Sequence, residues 1–171
     1  MEIRKINLCP SRPWVTLSAY LSYSLDTRAD ALLVCPGGGY GFCSSREAEP
    51  IARRFLAAGF QAFVLTYSIK QLPFPAHLLQ AATAVATVRE HAAEWDIDPN
   101  KIFIIGFSAG AHLAGSLGTL WNRDYVKNAL GYHNGEHRPN GMIRAMEAFM
   151  EKRAGAVGAG PFLTSSSVFL P

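Results

Sequence analysis

A serine flanked by glycines, between two apolar runs, constrains this 171-residue chain more than any other feature. The pentapeptide Gly106-Phe107-Ser108-Ala109-Gly110 follows the run 101–105, whose length and β-branched composition are those of a buried parallel strand. It precedes the run 111–117, whose small and apolar residues suit a closely packed helix. A G-x-S-x-G sequence in that context is typical of a nucleophile elbow, a sharp strand-to-helix turn that exposes the serine hydroxyl. The alternative is a glycine-rich loop with an incidental serine.

The composition and charge fit a single globular domain. Hydrophobic residues make up 49% of the chain and charged residues 17%, which is ordinary for such a domain. The net charge of +3 is spread along the chain without a basic run, so the sequence predicts no nucleic-acid partner. Because no apolar stretch has the length of a signal peptide or a bilayer span, we expect a cytoplasmic protein with no membrane partner.

The three cysteines suggest neither a metal site nor a disulfide framework. They form no C-x-x-C pair and leave one cysteine over in any pairing. Cys35 lies in a predicted buried strand, whereas Cys43 lies close to the predicted site. An inert small side chain and a reactive thiol are both open at Cys43, and we favour the first. We expect no cofactor and no bound metal.

Apolar patterning predicts an α/β fold. Runs of strand length, three of them continuous and one alternating, predict strands at 14–23, 31–35, 60–67 and 101–105. Apolar residues at helical spacing predict helices at 49–58, 78–95 and 111–117. The alternation in the first strand predicts one covered face and a position near a sheet edge. Strands that alternate with helices indicate a three-layer sandwich with a mostly parallel sheet and right-handed crossovers.

Three successive glycines, at 37–39, form a second unusual segment. Glycine is entropically costly to order, so such a run indicates a loop whose backbone N–H groups approach a ligand, with a flexible turn as the alternative. The run follows the strand 31–35, and ligands of parallel sheets bind beyond the carboxyl ends of the strands. We therefore expect the glycines and Ser108 at the same edge of the sheet.

The start of the first helix has two interpretations. Ser44 and Glu47 have the spacing of a capping box, in which each side chain bonds the backbone of the other residue. Pro50 favours instead a helix that begins near Glu49, because proline is accepted only in the first turn.

The carboxyl third lacks this regular pattern. The polar segment 121–140 is interpreted as a long loop, and 141–143 could begin a strand. The composition of 144–152 favours a helix, and 155–171 has no predicted packing role. We therefore predict one incomplete domain over 1–171, with an atypical helical or loose tail at 144–171.

The order of these motifs resembles the α/β-hydrolase superfamily. The resemblance is strongest to its carbohydrate-esterase and acetyl-esterase-like branch, which is related to the hormone-sensitive-lipase-type esterases, and it covers roughly residues 12–143. The matching segments are Pro36-Gly37-Gly38-Gly39-Tyr40, Arg46-Glu47, Phe63-Val64-Leu65-Thr66-Tyr67 and Gly106-Phe107-Ser108-Ala109-Gly110-Ala111-His112-Leu113-Ala114.

The resemblance implies acyl transfer from a small-molecule ester. Ser108 would attack the carbonyl of a short-acyl ester or an acetylated carbohydrate and form an acyl-enzyme that water hydrolyses. The backbone N–H groups of Gly38, Gly39 and Ala109 would form the oxyanion hole, since the glycine loop matches the position of the family's HGGG-type motif.

The acid and the base of a serine triad are not identifiable. In the family they follow the nucleophile on later strands, and here no run after Ser108 resembles those strands. The candidates after Ser108 are one aspartate and three histidines, namely Asp124, His112, His133 and His137. His112 lies one turn beyond Ser108 and could approach it, although the position looks structural in the family. The other two histidines fit a metal pair or an improvised base, and we expect a solvated loop instead.

Hydrolysis is therefore expected to be impaired, and we interpret the chain as an α/β-hydrolase truncated at its carboxyl end. Two alternatives remain open from the sequence. One is a catalytically inactive remnant that serves as a binding module. The other is a fragment of a prolyl-oligopeptidase-like peptidase, which shares the elbow.

Overall fold

One mixed sheet organises the residues that the structure, a computed structural model, describes: 1–23, 27–69, 72–145 and 168–169. Its strands are β1 Glu2–Asn7, β2 Thr16–Leu21, β3 Ala29–Cys35, β4 Gln61–Thr66, β5 Ile97–Phe107, β6 Gly141–Ala145 and β7 Val168–Phe169. The helices are α1 Glu49–Ala57, α2 Ala76–Glu90, α3 Ala109–Leu120 and α4 Asp124–Leu130, and a 3₁₀ turn, Ser45–Glu47, precedes α1.

The sheet has a parallel centre and antiparallel flanks. Its order is β1-β2-β4-β3-β5-β6-β7. Strands β4, β3, β5 and β6 are parallel to one another, whereas β1 and β2 on one side and β7 on the other pair antiparallel. The predicted three-layer α/β sandwich is confirmed, because helices pack on both faces of this sheet.

The alternation of side chains along β3 shows how both faces are covered. Leu33 and Cys35 face the core shared with α2 and α3. Leu32 and Val34 face the opposite core, against α1. All four side chains are essentially inaccessible to solvent, and burial of each of the three aliphatic ones stabilises the fold by about 1.5–3 kcal/mol. A continuous apolar run is therefore what this central strand needs.

The prediction for β2 is wrong in one respect. Its two faces are both largely buried, rather than one, and it is not an edge strand. The reason is β1, which pairs outside it and was not predicted, since charged residues interrupt its apolar positions. Ile6 of β1 packs against the core, while Arg4 forms an ion pair with Glu94.

The helices before Ser108 confirm the predictions made from apolar spacing. The apolar residues whose spacing predicted a helix at 78–95 are all buried, namely Leu78, Ala81, Val85, Val88, Ala92 and Trp95. The helix itself ends at Glu90, so Ala92 and Trp95 lie in the turn that follows it. Helix α1 begins at Glu49 with Pro50 in its first turn. The capping-box interpretation is wrong, because Ser44 makes no side-chain cap and Glu47 bonds the glycine loop instead.

The carboxyl third departs most from prediction. The expected loop 121–140 contains α4, which ends at Gly131 in a left-handed conformation with φ of 69° and buries Val126. Residues 141–145 form β6, which confirms the possible strand at 141–143, whereas the predicted helix is wrong at 144–145. The remainder of the predicted helix 144–152 lies outside the described residues, as does most of the predicted tail.

Within the described ranges, no helix combines the length and the apolar character that crossing a bilayer requires.

Candidate functional site

The turn at Ser108 has the geometry of a strained strand-to-helix junction. Ser108 directly follows β5 and precedes α3, and its φ of 50° and ψ of −115° lie where side chains other than glycine are rarely found. Its carbonyl accepts the N–H groups of Ala111 and His112, at 2.9 and 3.1 Å, which starts the helix. The side chain is exposed to solvent. Strain of this kind persists where surrounding packing enforces it.

The two glycines of the pentapeptide supply that packing. A Cβ added at Gly106 would lie 2.1 Å from the carbonyl oxygen of Gly110, inside any possible contact distance. A Cβ added at Gly110 would lie 2.0 Å from the carbonyl oxygen of Cys35. The start of α3 therefore sits directly against the ends of β5 and β3, and the alternative of a loose glycine loop is wrong.

The strain at Ser108 makes a stability prediction. We expect Ser108→Gly to raise the free energy of unfolding by about 1 kcal/mol, because glycine adopts a positive φ without a steric cost. Urea denaturation measures this change. Ser108→Ala is the control, since it keeps the Cβ and should bring no gain. If the glycine variant is no more stable than the alanine variant, the turn is not strained.

The glycine loop 37–39 lies against this turn. A Cβ added at Gly37 would lie 2.7 Å from the carbonyl oxygen of Phe107 and 3.1 Å from the Cβ of Ser108. The cause is the register of the parallel strands, which pairs Cys35 of β3 with Gly106 of β5. The two segments that the sequence singled out therefore meet at one edge of the sheet.

Hydrogen bonds fix the conformation of the loop. The N–H of Gly37 donates to Glu47 Oε2 at 2.8 Å, and the N–H of Ser44 donates to the carbonyl of Gly37 at 2.9 Å. Gly38 and Gly39 have φ of 134° and 61°. The N–H groups of these two glycines, and that of Ala109 at the start of α3, donate to no protein acceptor within the described ranges. Three donors therefore remain free beside Ser108.

Aromatic residues hold both ends of the loop. Tyr67, which is buried, donates its hydroxyl to the carbonyl of Pro36 at 2.6 Å, and burial raises the pKa of Tyr67 far above its usual range. Tyr40 has a φ of 59°, and its hydroxyl pairs with Nδ1 of His112 at 2.9 Å. The ring centroid of Tyr40 also lies 4.7 Å from that of His77. No sequence pattern predicted these contacts, because they join residues far apart in the chain.

The other triad candidates lie elsewhere. His112 contacts Tyr40, and no described side chain is hydrogen-bonded to the hydroxyl of Ser108. Asp124 lies in the first turn of α4, where its carboxylate is 88% exposed and pairs with Lys127 at 3.0 Å. His133 is exposed, but His137 is fully buried, with Nε2 2.6 Å from the carbonyl oxygen of Trp121. The prediction of a solvated loop is therefore wrong for His137, which holds the end of α3.

Cys35 and Cys43 are both at least partly buried. Cys35 is buried, as predicted, and burial raises the pKa of its thiol. Cys43 is partly buried with Sγ 3.8 Å from the carbonyl oxygen of Tyr67, and burial raises its pKa too, which favours the inert thiol. Among the described residues, no group of three or more His, Cys, Asp and Glu side chains could hold a metal ion.

The strained serine turn and the adjacent glycine loop favour the predicted family, and comparison with known proteins tests that membership. Residues 17–150 match the BD-FAE family. The chain belongs to this family. Its place in the carbohydrate-esterase-like branch of the α/β-hydrolases, predicted from the sequence, is thereby confirmed.

Known relatives of this BD-FAE chain are longer. It is 40% identical to endo-1,4-beta-xylanase B of Butyrivibrio fibrisolvens over 131 residues, 74% of this chain and 20% of that protein. The α/β hydrolase MGS-M1, from a Medee basin deep-sea metagenome library, is 46% identical, with a TM-score of 0.65 over 70% of this chain and 51% of that one. The acetyl ester-xyloside bifunctional hydrolase of Caldicellulosiruptor lactoaceticus is 32% identical, with a TM-score of 0.66 over 80% and 54%. The chain thus spans about a fifth of the curated relatives and half of these structures.

Proposed function

We propose that this BD-FAE chain hydrolyses carboxylic esters, of the short-acyl or acetylated-carbohydrate type, through an acyl-enzyme on Ser108. The observation that carries the proposal is that Ser108 is exposed on a strained turn against the glycine loop, where three backbone N–H groups donate to no acceptor among the described residues. The names of its relatives support the substrate class, since one is described as an acetyl ester-xyloside bifunctional hydrolase and another as an acetylxylan esterase.

The proposed chemistry has two steps. The oxygen of Ser108 bonds to the ester carbonyl carbon, the serine proton passes to the leaving alkoxide, and the alcohol departs. Water then attacks the acyl group, and the carboxylic acid leaves as the serine regains its proton. In both steps the carbonyl oxygen becomes an oxyanion, which needs donors already in place.

Three N–H groups are the proposed oxyanion donors, those of Gly38, Gly39 and Ala109. Their positions are fixed by neighbours rather than by the substrate, because Glu47, Tyr67 and the start of α3 hold the two segments. Ala109 also stands at the amino end of a twelve-residue helix, where the helix dipole favours negative charge. The proposal assigns the nucleophile and these donors; it assigns no general base.

A series of esters tests the substrate class. We expect p-nitrophenyl acetate and acetylated xylo-oligosaccharides to be hydrolysed faster than p-nitrophenyl octanoate, with the Ser108→Ala variant as the measure of background. Preference for acyl-peptides over acetate esters would indicate a peptidase. Turnover equal to that of the variant would contradict hydrolysis and indicate a binding module.

Glu47 offers a test of the oxyanion loop. We expect Glu47→Ala to lower kcat/KM for p-nitrophenyl acetate by about tenfold or more, because Gly37 loses a charge-assisted hydrogen bond of about 1.5–3 kcal/mol. Glu49→Ala is the matched control: its carboxylate is exposed and pairs with Arg53, a contact that contributes about 0–1 kcal/mol. Equal effects of the two substitutions would show that Glu47 does not position the loop.

A further inference from the structure

A polar cavity lies at the other end of β5 from Ser108. Its volume is about 510 Å³, within the range of small-molecule sites. The walls come from the end of α2, the first half of β5, the end of α3 and the loop that precedes β6. We call it the Arg89–Arg138 cavity, after the two arginines that line it. Nothing in the proposed ester chemistry uses it.

Arg89 lines the cavity, and its guanidinium is hydrogen-bonded only to neutral acceptors among the described residues. The guanidinium donates through Nε to the carbonyl of Pro99 at 3.0 Å, and through Nη2 to the carbonyl of Arg138 and Oδ1 of Asn140, both at 2.8 Å. It also donates to the carbonyl of Glu136. These acceptors are neutral, so within the described ranges no carboxylate is hydrogen-bonded to the guanidinium, although the Glu136 carboxylate acts on it through space. Burial, and the positive charge of Arg138, lower the pKa of Arg89.

Arg138 brings a second cation with unused donors. Its guanidinium carbon lies 4.9 Å from the centre of the Trp121 ring. Its Nε is buried and has no hydrogen-bond partner in the described part of the chain. That nitrogen has no exposed surface, so the donors open to an anion are the two Nη groups of Arg138, which make no hydrogen bond to the described residues. Arginine is the side chain best suited to hold a carboxylate through two parallel bonds.

The remaining lining is suited to hydroxyl groups. The one carboxylate that lines the cavity, Glu136, accepts the N–H of Asn134 at 2.9 Å and its side-chain amide at 3.3 Å, so it is engaged by its own loop. The side-chain amide of Asn100 makes no hydrogen bond to the described residues, and neither does the NH2 group of Asn140. Amide groups both donate and accept, as hydroxyls require of their partners.

We propose that the Arg89–Arg138 cavity binds a sugar acid. Arg138 holds the carboxylate of the sugar, and the amides of Asn100 and Asn140 hold its hydroxyls. The site is distinct from Ser108 and does not depend on hydrolysis, so a failure of the proposed esterase activity leaves it standing.

NMR titration with D-glucuronic acid tests the proposal on the full chain. We expect saturable shifts of the Trp121 indole and Gly135 amide resonances, which Ser108→Ala leaves unchanged. Arg138→Gln should weaken binding about tenfold or more, the loss expected for a charge-assisted contact. Arg123→Gln is the matched control, because it removes the same charge from an exposed position just before α4. Glucose and acetate, which carry the hydroxyls or the carboxylate alone, should each bind more weakly than glucuronic acid.

Several results would overturn the proposal. They are an absence of saturable shifts, an undiminished affinity in Arg138→Gln, an equal loss in Arg123→Gln, and binding of acetate or inorganic phosphate as tight as that of glucuronic acid. If Arg138→Gln unfolds the chain, Asn100→Ala tests the site instead, because Asn100 is exposed and its substitution should leave the fold intact. That variant should bind glucuronic acid more weakly than the unsubstituted chain, but acetate equally well, and an unchanged affinity for glucuronic acid would refute the site.

Discussion

Ser108→Ala should abolish covalent labelling of the chain by a fluorophosphonate probe. In the labelling reaction the serine oxygen bonds to phosphorus and fluoride leaves, so the product requires the hydroxyl at the turn. Replacing the nucleophile of a serine hydrolase removes most of its rate. Because no general base is assigned to Ser108, we expect slow labelling of the unsubstituted chain and a fall to the background rate in the variant. Mass spectrometry of the intact chain measures both rates.

The control for this experiment is Ser116→Ala, in the same helix. The hydroxyl of Ser116 donates to the carbonyl of His112 one turn back, and it lies outside the strained turn. Labelling of this variant should match that of the unsubstituted chain. Both alanine variants should keep the denaturation midpoint close to its original value, because neither creates a cavity in the core. Labelling that survives in Ser108→Ala would place the reactive group elsewhere.

Gly110→Ala should strongly destabilise the fold. The new methyl group would lie 2.0 Å from the carbonyl oxygen of Cys35, and a backbone atom at that position cannot rotate away. The start of α3 must then shift off the ends of β3 and β5. Overpacking typically costs about 1–3 kcal/mol in the free energy of unfolding, and we expect the upper end of that range because the clash is with backbone. Urea denaturation gives the value.

Gly41→Ala is the matched control for that substitution. A methyl group at Gly41 would lie 3.6 Å from the carbonyl oxygen of Gly38, an ordinary contact, and the residue does not have a positive φ. Its stability should change by less than about 0.5 kcal/mol. If both alanine variants unfold at the same urea concentration, close packing at the elbow is not what requires glycine. A loss of labelling in Gly110→Ala without a loss of stability would point to a local role instead.

The part of the site nearest in sequence to Ser108 was predictable because its determinants are local. An apolar β-branched run, a small-residue turn and an apolar helix occur within about one strand and helix of chain, and each is encoded by its own composition. The glycine loop was predictable for the same reason, since it follows a buried strand directly. The parallel pairing of β3 and β5 then brings the two segments together.

Elements marked by weak or mixed patterns were missed. Strand β1 alternates charged with apolar residues and is recognised only when β2 pairs with it. Helix α4 is short, yet Val126 and Leu130 lie one turn apart and Gly131 follows directly, a signal that was present but outweighed by polar neighbours. His137 illustrates the same limit, because a histidine in a polar segment is buried only once Trp121 and α4 are in place.

By itself, the sequence determined the order of strands and helices from β2 to α3, the sharp turn at Ser108 and membership of the hydrolase superfamily, since these depend on patterns within short stretches. Only the tertiary structure decided what each polar group does. Glu47 bonds the glycine loop instead of capping a helix, and His112 bonds Tyr40 instead of Ser108. The tertiary structure also brought Arg89 and Arg138 to one cavity. Hydrogen bonds and charges act over a few ångströms between residues distant in the chain, and no local pattern encodes that distance.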